Sequence, residues 1–189
     1  MPRTFPPSTE SGLLAIANEI LRHDGPDALT VRRVAERADT STQSVYTHFG
    51  GKAGLADALF RHGYELLADE LTEVPPIDDP AERVFALSLA YRRAALANPE
   101  HYKLMTSRPI AEYTPSDDSR RAALRSMAPL VDALRAGVAE GVFVGEPTSM
   151  ANQMWAAGHG LISLEINGFL PVDDKNYASL CRALIDAQR

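Results

Sequence analysis

The sequence predicts an all-α protein: an N-terminal three-helix helix-turn-helix domain (residues 1–55), joined by a long helix to a C-terminal helical bundle (56–189). Three observations carry this. Apolar residues recur at helical spacing with almost no alternation of period two, which marks helices with one buried face. Proline marks the joints: Pro6-Pro7, Pro75-Pro76, Pro80, Pro99, Pro109, Pro115, Pro129, Pro147 and Pro171 fall mostly between periodic segments. A chain of 189 residues that is 45% hydrophobic and 23% charged can bury a core without disulfides and is neither disordered nor collagen-like.

The elements follow in order. Leu13, Leu14, Ala17, Ile20 and Leu21 line one face of a first helix. It starts near Ser8 or Thr9, good N-cap types, and ends at Asp24-Gly25-Pro26. Thr30 caps a short second helix that turns Val31, Val34, Ala35 and Ala38 inward. Ser41 opens a short third helix with Val45, Tyr46 and Phe49, and Gly50-Gly51 breaks the chain after it. Leu55, Leu59, Leu66, Leu67 and Leu71 carry a long fourth helix that stops at Pro75-Pro76. Five further helices are expected at 80–98, 100–107, about 118–140, about 147–168 and 174–188, with a loop over 110–118. There are no internal repeats and no low-complexity tracts.

Charge is unevenly spread. Residues 1–55 hold six basic and six acidic groups, so the net charge of −6 resides wholly in 56–189. This argues against bulk electrostatic capture of nucleic acid but not against a local reading face. The single cysteine, Cys181, cannot form an internal disulfide, which makes a reducing cytoplasm the expectation. Neither a signal peptide at the first residues nor an apolar run long enough for a membrane span is expected.

The second and third helices meet at Ala38-Asp39-Thr40-Ser41, a turn short enough to force a steep crossing and let the third helix protrude. Asp39, within this turn, is of a type that tolerates the left-handed conformation. Beyond the turn, Thr42, Gln43, Ser44 and Thr47 can share an outward face of short or amide side chains, types that hydrogen-bond base edges and phosphates. Tyr46, His48 and Lys52 add groups suited to phosphate, and the start of the fourth helix near Gly51 offers backbone N–H groups to an anion. The same residues admit plainer readings. Val45 and Phe49 are core, a Tyr-x-His-Phe run on a short helix is commonly packing, and Arg32-Arg33 fits a solvated face.

The segment from Ala28 to Lys52 resembles the DNA-binding segment of TetR-type transcriptional regulators. Thr30, Val31, Ala35, Ala38, Ser41, Tyr46, His48, Phe49 and Lys52 match its pattern, and the likeness extends over residues 10–72. The chain departs from it in three places: Asp39-Thr40 stands where the family usually has Gly-Val, Thr42 where a Lys often follows the Ser, and Gly50-Gly51 where Pro-Ser precedes the Lys. The resemblance implies double-stranded DNA as partner, read at a palindromic operator through Thr30, Arg32, Ser41, Thr42, Gln43, Ser44, Tyr46, Thr47, His48 and Lys52.

Two segments of the second half, Tyr91–Met105 and Met154–Leu161, resemble one branch of TetR-type effector domains, the latter through its Trp-x-x-x-His-Gly pattern. Trp155 and His159 stand four residues apart and so share a helical face, while Gly158 and Gly160 let another group come close. Tyr91, Tyr102, Met105, Met127, Met154, Trp155 and His159 are the candidate lining of a cavity for a small-molecule effector. Methionine and aromatic side chains adapt to varied shapes, although cores are built of them too. His159 also fits a buried imidazole held by a backbone carbonyl. The resemblance further implies a homodimer through the last two helices (about 147–188), and Ile162, Leu164, Ile166, Phe169, Leu170, Tyr177, Leu180, Leu184 and Ile185 offer ample apolar surface for it.

These observations imply a cytoplasmic, ligand-responsive regulator, a repressor released by a small apolar molecule. An enzyme is not expected: there is no Gly-x-Ser-x-Gly, no His-Glu-x-x-His, no phosphate-binding glycine loop and no Cys-His zinc spacing, so no cofactor and no metal are called for. The pairs Asp78-Asp79, Asp117-Asp118 and Asp173-Asp174 read as helix starts before they read as catalysts. A helical protein-interaction module with a degenerate DNA-binding head is the alternative.

Overall fold

A computed structural model of the chain describes residues 6, 8–107 and 113–189. Among them the regular structure is entirely helical, in ten α-helices and one 3-10 turn, Pro26–Ala28. Residues 110–112 of the expected loop lie outside the described residues. No helix among the described residues is long and apolar enough to cross a membrane. The chain divides into two compact units that interleave along the sequence: residues 1–65 with 98–123, and residues 66–97 with 124–189.

The first unit contains α1 (Glu10–Asp24), α2 (Val31–Arg37), α3 (Thr42–Phe49), the larger part of α4 (Lys52–Thr72), α6 (Pro99–Ser107) and most of α7 (Asp117–Ser126). Each of the first three helices begins where a hydroxyl can satisfy an orphan N–H. Thr9 caps Gly12, Thr30 caps Arg33 and Ser41 caps Ser44. Each such cap contributes about 1 kcal/mol. Leu13, Ile20 and Leu21 of α1, Val34 of α2, Val45 of α3 and Leu55 and Leu59 of α4 share one core and are fully buried. Leu104 of α6 completes it. Between α2 and α3, Asp39 adopts φ 49°, a left-handed conformation that its side chain tolerates. Where α4 starts, a Cβ on Gly54 would sit 1.7 Å from the carbonyl oxygen of Phe49, so the α3–α4 joint has room only for glycine. On α4, Asp57 receives hydrogen bonds from Tyr113 Oη (3.0 Å), Ser116 N (2.9 Å) and Ser116 Oγ (2.7 Å). Burial alone would raise its pKa; these bonds outweigh that and lower it.

The second unit contains the end of α4, α5 (Pro80–Ala97), α8 (Ala128–Ala139), α9 (Pro147–Ile166) and α10 (Asp174–Asp186). The spacing predicts one helix over about 118–140, yet the structure has two, parted at Met127. Pro129 is the reason: it has no N–H, and its ring clashes with the carbonyl four residues back, so it is accommodated only in the first turn of α8. Asp79 and Asp173 cap α5 and α10 through Ala81 N (2.8 Å) and Asn176 N (2.7 Å). Helix α5 packs on α8, α9 and α10. Arg92 of α5 is buried and ties together the end of α9 and the start of α10: Nη2 and Nε reach Glu165 (2.8 and 3.1 Å), Nη1 reaches Asp174 (2.6 Å), and Nη2 reaches the Val172 carbonyl (3.2 Å).

Candidate nucleic-acid interface and internal cavity

Helix α3 has an apolar face and a polar face. Val45 and Phe49 are buried in the head, while Thr42, Gln43, Tyr46, Thr47 and His48 are exposed and Ser44 is half-buried. Tyr46 is 51% exposed, unusual for a large aromatic ring on so short a helix. The expected face is therefore assembled, with two of its hydroxyls partly committed: Ser41 Oγ caps Ser44, and Thr47 Oγ1 donates to the Gln43 carbonyl at 2.9 Å. Gly51 underlies it, since a Cβ there would stand 3.2 Å from the Tyr46 ring. Lys52 is exposed at the first residue of α4. On α2, Thr30 is exposed but spends its hydroxyl on the cap, and Arg32 lies in solvent paired with Glu36 at 2.7 Å. Arg33 and Arg37 both turn back to Asp24 at the end of α1 (2.9 and 3.5 Å), bracing the two helices.

The second unit holds a small cavity of about 30 Å³ between α5, α8, α9, α10 and the end of α4. Four candidate residues line it: Tyr91, Met127, Met154 and Trp155. Leu71, Leu87, Ser88, Leu130 and Tyr177 complete the lining, and the sequence does not single them out for it. A leucine or serine at helical spacing reads like any core position; only the joint placement of α5, α8 and α10 selects these. Tyr102 and Met105 are not part of this lining, because α6 belongs to the first unit, where Met105 and His101 pack over Gly63 of α4. His159 stands beside the cavity residue Trp155, ring centroids 5.7 Å apart, and is not itself in the lining. Burial lowers its pKa and keeps the ring neutral near pH 7.

Three polar side chains of the cavity wall donate to protein acceptors. Trp155 Nε1 donates to Tyr91 Oη at 3.1 Å, Tyr177 Oη donates to the Ser88 carbonyl at 3.2 Å, and Ser88 Oγ donates to the Val84 carbonyl at 2.9 Å. Burial pushes the Tyr177 hydroxyl up, so it stays a neutral donor. The guanidinium of Arg92 lies 5.4 Å from the Tyr177 ring centroid.

Of the apolar residues expected at a dimer surface, Ile162, Tyr177 and Ile185 are instead buried in their own unit. Leu164, Phe169 and Leu170 are exposed, Phe169 by 79%. Hydrophobicity along the sequence does not separate the two sides of α9 and α10, since both carry apolar residues.

Comparison with known proteins agrees with both halves. Residues 84–188 match the family model described as the tetracyclin repressor-like C-terminal domain, and residues 13–59 match that of the bacterial regulatory proteins, tetR family. The HTH-type transcriptional regulator Rv1816 of Mycobacterium tuberculosis is 26% identical over 136 residues, which are 70% of this chain and 58% of the relative. The chain thus spans little more than half the length of that curated relative. The tetracycline repressor protein class C of Escherichia coli is 37% identical over 87 residues, 45% of this chain and 38% of that protein. Among solved structures, a protein of unknown function from Rhodococcus sp. RHA1 superposes with TM-score 0.79 at 28% identity, covering 94% of this chain and 92% of its own. The TetR family transcriptional regulator PfmR from Thermus thermophilus superposes with TM-score 0.65 at 21% identity (92% and 94% covered), a likeness of fold. With one family model covering more than half of the chain and a second covering residues 13–59, this protein belongs to the TetR family of bacterial transcriptional regulators.

Proposed function

We propose that the protein is a cytoplasmic, ligand-responsive DNA-binding regulator, a repressor released from its operator by a small apolar molecule. The single observation that carries the DNA-binding part is the exposed face of α3, with Thr42, Gln43, Tyr46, Thr47 and His48 outward and Val45 and Phe49 anchored inward. Gln43 and Thr42 are suited to base edges; Tyr46, His48, Lys52 and the cap region of α2, with Thr30 and Arg32, are suited to phosphates. An exposed ion pair such as Arg32–Glu36 is weak in water, so it can give way to phosphate.

The protein acts as a homodimer joined through α9 and α10 (about 147–188), for which exposed Leu164, Phe169 and Leu170 supply apolar surface. A two-fold pair of heads sets two α3 helices on a palindromic operator about 34–36 Å apart when the half-sites are one turn apart. The cavity takes the effector against Tyr91, Met127, Met154 and Trp155. The Trp155–His159 contact supports the Trp-x-x-x-His-Gly branch. Release requires two states of different effector affinity, with α4, which runs through residues of both units, as the lever.

The test is fluorescence anisotropy on labelled DNA from upstream of the protein's own gene. The reading expects tight binding whose affinity falls by orders of magnitude as salt rises, as phosphate contacts release counterions. Binding no tighter than to scrambled DNA contradicts it.

A further inference from the structure

We propose that the effector is an uncharged apolar molecule, a hydrocarbon or an alcohol, and that its ionised carboxylic counterpart is excluded. The inference rests on reading the cavity as the effector site. No residue of its lining is charged among those described: Leu71, Leu87, Leu130, Met127 and Met154 supply an apolar wall. Three donors of that wall are spent on protein acceptors, Trp155 on Tyr91, Tyr177 on the Ser88 carbonyl and Ser88 on the Val84 carbonyl. What Ser88 leaves toward a guest is oxygen lone pairs, which accept from a ligand hydroxyl and repel a carboxylate. The nearby cation does not change this. Arg92, over the Tyr177 ring, is held by two carboxylates and a carbonyl. A guest anion would have to compete with Glu165 and Asp174, which already compensate the guanidinium.

Size points to how the guest enters. The cavity of about 30 Å³ holds little more than a water or two, since one water-sized sphere needs about 10–15 Å³ on the same measure. A larger guest must move side chains. Met127 and Met154, unbranched thioethers, give way at least cost. Trp155, 40% exposed, stands at the rim, where its hydrogen bond to Tyr91 is reachable from solvent.

Trp155 is the chain's one tryptophan, so its emission reports on the cavity without labelling. The full-length protein is titrated with decanol and with decanoate at a pH near 8, where the acid is ionised. The expected result is a saturable change in emission with decanol and affinity for decanoate lower by roughly 100-fold. Decanoate binding as tightly as decanol overturns the uncharged class while leaving an effector cavity in place. No response of emission or melting temperature to either probe overturns the effector reading and the inference with it. Met154→Phe, which fills the cavity with an apolar ring, is expected to abolish the decanol response while the far-ultraviolet helical signal is kept. Unchanged decanol affinity in that folded variant places the alcohol elsewhere and overturns the assignment.

Discussion

The two units spend their polar groups in opposite ways. In the first, Thr42, Gln43, Tyr46 and His48 point into solvent from a helix whose hold on the protein is apolar. In the second, the indole of Trp155 and the hydroxyls of Tyr177 and Ser88 donate to protein acceptors rather than into the cavity. On the proposed reading, the outward hydrogen-bonding capacity of α3 suits a polar partner, and the inward-spent donors of the cavity suit an apolar guest. The same contrast appears at the buried charges and imidazoles, where it can be broken residue by residue.

The largest effect is expected at the joint that holds α3 in place. Gly54→Val puts a side chain into the Phe49 carbonyl and is expected to cost more than about 4 kcal/mol, enough to unfold the head in a thermal melt followed by circular dichroism. A melt close to that of the parent would show that the joint adapts.

Next comes His101 of α6, 1% exposed, with both ring nitrogens lacking a hydrogen-bond partner among the described residues. Burial first, then the charges of His62 and Arg22, depresses its pKa from 6.5 to about 4. The unfolded chain therefore takes a proton that the folded chain refuses. Stability is complete above about pH 6.5 and is lost as pH falls toward 4, by roughly 3 kcal/mol for this group alone. Urea midpoints across that range are expected to fall less steeply in His101→Leu than in the parent. Because both nitrogens are unpartnered, that variant is also expected to be no less stable at neutral pH.

In the second unit the buried polar group is paired, so its removal has the opposite sign. Arg92→Met is expected to cost about 2 kcal/mol, because it strands Glu165 beside α10. A neutral or stabilising result would mean that Glu165 reaches water unaided. The smallest effect is at the α3 cap: Ser41→Ala removes the acceptor for Ser44 N and is expected to cost about 1 kcal/mol, read as a shift of the urea midpoint.

The two units also differ in how far the sequence can be followed. The head is legible because caps and turn residues act locally. Thr9, Thr30, Ser41 and Asp39 each do in the structure what their chemistry predicts within a few residues of themselves. In the bundle, periodicity gives a helix its faces and does not say which neighbour each face meets. Tyr102 and Met105 share the adaptable chemistry of the cavity residues, yet α6 lies in the other unit. Tyr177, expected on the outer surface, turns inward to the Ser88 carbonyl. The split at Met127 is written in Pro129, but the apolar pattern runs across it.

Whether the outward edge of α3 reads DNA is tested most directly by measuring the affinity of Gln43→Ala/Tyr46→Ala for DNA upstream of the gene, beside a thermal melt of the same variant. Both side chains are exposed, so the melting temperature is expected to stay put while affinity falls roughly 100-fold. Undiminished affinity in the folded double variant would contradict that role for α3.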